Sequence, residues 1–131
     1  MKTIAELFER PVDRTIEEVI KVDQANEAAV RNEIDEYIVT DSIRDQFQEV
    51  YREIAGGPAA PREGIGIWVS GFFGSGKSSF AKILGYTIAN RKVGASAAAD
   101  LFKKTLKDGA VGDLLDNINT RIPFHSVIFD V

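Results

Sequence analysis

Apolar residues recur along the first half of the chain at the spacing of a helix. In "EAAVRNEIDEYIV" (27–39), Val30, Ile34, Tyr37 and Ile38 stand at i, i+4, i+7 and i+8, one face of a 3.6-residue period. In "SIRDQFQEVYREI" (42–54), Ile43, Phe47, Val50, Tyr51 and Ile54 repeat that face. Two successive amphipathic helices are predicted, with "TDS" (40–42) offering N-cap side chains between them and "GGP" (56–58) ending the second. The stretch "GGPAAPREG" (56–64) reads as a loop or short linker. It divides the chain into a helical region with its linker, residues 1–62, and a second unit, residues 63–131.

The pattern then changes. "IGIWVS" (65–70) is apolar on both faces and bounded by glycines, as expected of a strand covered on both sides in a parallel sheet. A helix is predicted from about Ser78 to Asn90, burying Phe80, Ile83, Leu84 and Ile88. Further helices are predicted near 96–107, with Leu101, Phe102 and Leu106, and near 111–119, with Leu114, Leu115 and Ile118. "HSVIFDV" (125–131) follows Pro123 as a second buried-strand candidate. Strand, helices, strand is the opening of an α/β fold with a parallel sheet, here incomplete.

Composition narrows the chemistry. The 131 residues include no cysteine and one histidine, which excludes a disulfide framework, a thiolate metal site and a histidine-cluster metal site. The N-terminus "MKTIAELFERPVDRT" lacks the apolar core of a signal peptide, and no run approaches the roughly 18 to 20 apolar residues that span a bilayer. A cytoplasmic protein without membrane contact is expected. Residues 1–62 carry 8 Lys+Arg against 14 Asp+Glu, a balance of −6, while residues 63–131 carry 8 against 6, a balance of +2; together these make the overall −4. Neither half has a dense basic cluster, so these residues do not support DNA contact, and the acidic half would repel phosphates.

Against that charge, one stretch points to phosphate. "GFFGSGKS" (71–78) matches G-x-x-x-x-G-K-[ST], the P-loop or Walker A motif, through Gly71, Gly76, Lys77 and Ser78. A chance match in a chain of this length has odds of about half a percent at ordinary residue frequencies. The chemistry explains the residue types. Glycines at 71, 74 and 76 permit the backbone angles that wrap a chain around a phosphate. The amides of the loop, Ser75 included, and the positive end of the following helix make an anion cradle. Lys77, the candidate catalytic residue, reaches towards the β- and γ-phosphates on a long stem. Ser78 offers its hydroxyl to Mg²⁺, and Ser79 a second hydroxyl to the α-phosphate. ATP with Mg²⁺ is the expected ligand. Three uses of such a loop stay open: an ATP hydrolase or switch, a small-molecule kinase, and an interaction module in which nucleotide is a structural ligand. His125 reads as an ordinary residue at a strand start.

Three strings, "LFERPVDRTIEEVIKVDQ" (7–24), "EIDEYIVTDSIRDQF" (33–47) and "GIWVSGFFGSGKSSFAKILGY" (66–86), resemble the N-terminal end of the BrxC family, large P-loop ATPases of BREX bacteriophage-exclusion systems. The resemblance covers most of the first 90 positions. It implies an ATPase acting with other BREX components in antiviral defence, and an AAA-like P-loop domain that assembles into oligomers. Because members of that family are much longer, it also implies a fragment. The motif residues Gly71, Gly76, Lys77 and Ser78 carry over directly. Asp130 loosely fits the Mg²⁺-binding acid of a second nucleotide motif. AAA-like enzymes usually follow that acid with glutamate, and here Val131 follows, so Asp130 is read as a strand-end residue. On this reading the chain alone binds Mg-ATP weakly and does not turn it over.

Overall fold

The computed structural model describes residues 3–8, 10–13, 25–56 and 66–129. Among the described residues, a short 3-10 turn, Ile4–Leu7, precedes five α-helices and one two-stranded ribbon. The helices are α1 (Glu27–Asp35), α2 (Asp41–Gly56), α3 (Lys77–Ile88), α4 (Ala98–Leu106) and α5 (Gly109–Arg121). The strands β1 (Lys92–Val93) and β2 (Ser96–Ala97) lie between α3 and α4 and pair antiparallel, Lys92 opposite Ala97 and Val93 opposite Ser96. Gly94 turns this ribbon at φ +62°, a left-handed angle that glycine adopts without Cβ strain.

Local chemistry starts the helices where capping residues stand. The Asn26 side chain accepts from the amides of Ala28 (2.9 Å) and Ala29 (3.3 Å) to open α1. The Thr40 hydroxyl accepts from the Ile43 amide at 3.3 Å at the start of α2. Asp108 accepts from the Val111 amide at 3.1 Å to start α5.

The helices bury their apolar stripes against one another. α2 lies on α5 and α1 on α4, while α3 packs against α4 and α5. One continuous core results, built from Val30 and Ile34 of α1, Phe47, Tyr51 and Ile54 of α2, and apolar residues of α3, α4 and α5. Phe47 is at its centre, with ring centroids 4.5 Å from Phe80, 4.9 Å from Phe102 and 5.6 Å from Tyr51.

The expected fold class does not hold. The described residues are mostly helical, and their only sheet is the two-stranded antiparallel ribbon, not the start of a parallel-sheet P-loop domain. Residues 66–70 and 122–129 are extended or irregular and belong to no ladder. The reason is physical. A strand needs a neighbour to take its amide and carbonyl groups, and a run apolar on both faces needs a covering layer on each. Here the helices cover each other instead. Trp68 is left 91% exposed, Val127 81% and Phe129 71%. One part of the second run does touch the core: the backbone at Gly85 of α3 approaches Ser126 and Ile128 so closely that a Cβ there would lie 2.7 Å from Ser126 Oγ and 3.0 Å from Ile128 Cδ1. Among the described residues, no helix is long and apolar enough to cross a membrane. Ile65, most of the 56–64 linker, and Asp130 with Val131 lie outside the described residues.

Candidate functional site

The Gly71–Ser78 segment leaves the extended run at Ser70, turns at Phe73–Gly74, bends at Ser75–Gly76 and enters α3 at Lys77. Three glycines make that path possible. Gly74 and Gly76 adopt φ +77° and +85°, where an L side chain is strained. Gly71 meets a different limit, because a Cβ at that position would stand 2.6 Å from Ser75 Oγ. The Ser75 amide donates to the Phe72 carbonyl at 3.1 Å, closing the turn on itself.

Gly76 is also the N-cap of α3 and brings no capping side chain. The first bond of the helix runs from the Phe80 amide to the Gly76 carbonyl at 2.9 Å. The amides of Lys77, Ser78 and Ser79 therefore have no partner within the helix. They stand at the positive end of a helix twelve residues long, where an anion is favoured. The Lys77 ammonium joins them, its Nζ donating to the Phe72 carbonyl at 2.7 Å. This carbonyl takes one of the three N–H donors of the ammonium and leaves the others for another acceptor.

A cleft of about 720 Å³ opens beside the loop. Gly71, Gly74, Ser75, Gly76, Lys77 and Ser79 line one wall, so six of the seven predicted binding residues come together. The α1–α2 connection and α2 supply the opposite wall, through Glu36, Tyr37, Ile38 and Gln46. Ser78 is the exception: it is exposed at the first turn of α3 and does not line the cleft. Among the described residues no cluster of three or more acidic or histidine side chains could hold a metal ion. A divalent ion at this loop would have the Ser78 hydroxyl and phosphate oxygens as ligands. The glycine cradle, the free leading amides and one flexible cation fit a polyphosphate.

A buried polar cluster lies behind the loop. Lys82 on α3 is 2% exposed, and its ammonium is 2.6 Å from Glu33 Oε1 of α1. The Tyr86 hydroxyl donates to Glu33 Oε2 at 3.2 Å. Burial, then the adjacent Glu33 carboxylate, raise the Tyr86 pKa above its ordinary value. Glu33 and Lys82 are not among the site residues that the sequence predicts. Helical spacing gives no signal for Lys82, which lies on the far side of the predicted helix from the Phe80, Ile83, Leu84 and Ile88 stripe. His125 lies exposed in the irregular segment after α5. No family model matches the chain, and no solved structure matches it.

Proposed function

We propose that the chain binds a nucleoside triphosphate with Mg²⁺ at the Gly71–Ser78 loop, ATP being the expected nucleotide. The observation that carries this reading is the meeting of the motif with its geometry. Gly74 and Gly76 take left-handed angles immediately before an uncapped helix start, with Lys77 at its first position. Backbone amides and Lys77 would hold the phosphates, and Ser78 the metal. Bound ATP supplies a transferable phosphoryl group, and Mg²⁺ offsets its charge. The resemblance to BrxC supports placing this activity in phage defence, with hydrolysis in the whole protein serving to move other BREX components.

A second reading, an interaction module with nucleotide as structural ligand, is favoured by the side chains flanking the loop. Phe72 is 92% exposed and Phe73 fully so.

Titration of the purified protein with Mg-ATP by calorimetry tests the nucleotide reading, with Lys77→Ala as the comparison. Lys77 is outside the core and its amine bonds only a loop carbonyl of those contacts described, so the variant should keep its helical circular dichroism. Its affinity should fall at least tenfold, the scale of losing one charge-assisted phosphate contact. Equal affinity in the two proteins would remove the assignment.

A further inference from the structure

The helix facing the phosphate loop is acidic. Glu33 in the last turn of α1 and Glu36 and Tyr37 just beyond the helix stand at i, i+3 and i+4, opposite Ser79, Lys82 and Ile83 at the same spacing on α3. These six residues enclose a small pocket of about 180 Å³. Glu36, Tyr37 and Ser79 also line the cleft at the loop, so the two spaces adjoin. A carboxylate here is partly buried beside the space a bound polyphosphate would occupy, where like charges repel more than they do in bulk water.

Each acid is answered by a base. Glu36 pairs with Arg10 at 3.1 Å, near the surface. Glu33 pairs with Lys82 at 2.6 Å, and there the base is buried. Burying an ammonium is costly, and an apolar side chain of the same volume often stabilises a fold as well or better. Packing alone therefore gives no reason for a lysine at 82.

We propose that Lys82 is an electrostatic screen for the phosphate site: by neutralising Glu33 it keeps α1 from repelling a polyphosphate held at the Gly71–Ser78 loop. This rests on the nucleotide reading above. Lys82 is a positioning residue of charge and does not itself touch the ligand.

The screen makes an asymmetric prediction that a purely structural ion pair does not. Lys82→Gln leaves Glu33 uncompensated and should weaken binding of a fluorescent ATP analogue with Mg²⁺ by about tenfold. Glu33→Gln removes the repelling charge and should bind at least as tightly as the wild type. The double variant, Glu33→Gln with Lys82→Gln, should return to within about twofold of wild type although neither pairing group remains. A structural pair would instead weaken both single variants and show no recovery in the double. Wild-type affinity in Lys82→Gln, or a double variant as weak as that single one, overturns the proposal. If circular dichroism shows Lys82→Gln unfolded, Glu33→Gln decides alone, since any loss of affinity there contradicts the screen. Failure of the nucleotide reading has a separate signature, in which the wild type and Lys77→Ala bind the analogue equally.

Discussion

Gly76 joins conformation to chemistry at a single residue. Its φ of +85° turns the chain into α3, and its lack of a side chain leaves the leading amides of the helix open. A Cβ there meets no heavy atom within 4 Å, so space is not what selects glycine; the backbone angle is. Gly76→Ala should cost about 1–2 kcal/mol for a left-handed alanine. Urea denaturation of the two proteins checks this, with a lower midpoint and an unchanged slope as the expected result. Gly71 differs in kind. There the angle is unexceptional, and the approach of Ser75 Oγ is what a side chain would obstruct. Both glycines were readable from the motif spacing, but the separate reasons for them were not, since one is a torsion and the other a contact between residues four apart.

At the scale of elements, the helices were legible because burying an apolar stripe and repeating every 3.6 residues are one constraint seen twice. Phe47, Tyr51 and Ile54 are buried on α2 as the spacing required, and Leu101, Phe102 and Leu106 on α4. The α1 stripe overran its helix. The helix ends at Asp35, and Ile38 is 78% exposed although it continues the period. The strands failed for the opposite reason: a sheet is a relation between segments, and no periodicity within residues 65–70 reveals whether a neighbour exists. Cross-element polar links were equally hidden. The Tyr51 hydroxyl of α2 is 2.8 Å from Thr87 Oγ1 of α3, which itself reaches the Ile83 carbonyl at 2.9 Å. Burial raises the Tyr51 pKa well above its usual value near 10. The folded state therefore holds this phenol neutral where the unfolded chain ionises. That contribution to stability is complete below about pH 10 and is lost as pH rises beyond it. Tyr51→Phe should cost about 1 kcal/mol at neutral pH through the lost hydrogen bond. Between pH 9 and 11 its melting temperature should fall less than that of the wild type, and parallel falls in the two proteins would contradict the assignment.

For the whole molecule the question is whether the acidic N-terminal helices and the helix that carries the loop are one folding unit. Charge separates them, with −6 on residues 1–62 and +2 on residues 63–131. The core joins them. Phe47 of α2 contacts Phe80 of α3, three residues past Lys77, and also Phe102 of α4, so one ring spans the junction between the two halves. The Glu33–Lys82 pair crosses the same junction beside it. Truncating a fully buried phenylalanine costs about 3–5 kcal/mol through lost transfer energy and the cavity left behind. Against the roughly 5–15 kcal/mol that hold a small domain folded, Phe47→Ala should leave a marginal protein. If the core is common property, that loss is shared by every helix lining it. Hydrogen exchange should then show the slow amides of α2, α3 and α4 all accelerating in Phe47→Ala, by a similar factor of at least a hundred. Fluorescence of Trp68, the sole tryptophan, is the wrong probe for this, because the ring is 91% exposed and outside the core. Acceleration confined to α1 and α2, with α4 and α5 as protected as before, would mean that the two halves fold separately. The wall of the phosphate cleft formed by the α1–α2 connection and α2 would then be a docked neighbour and not part of the same fold.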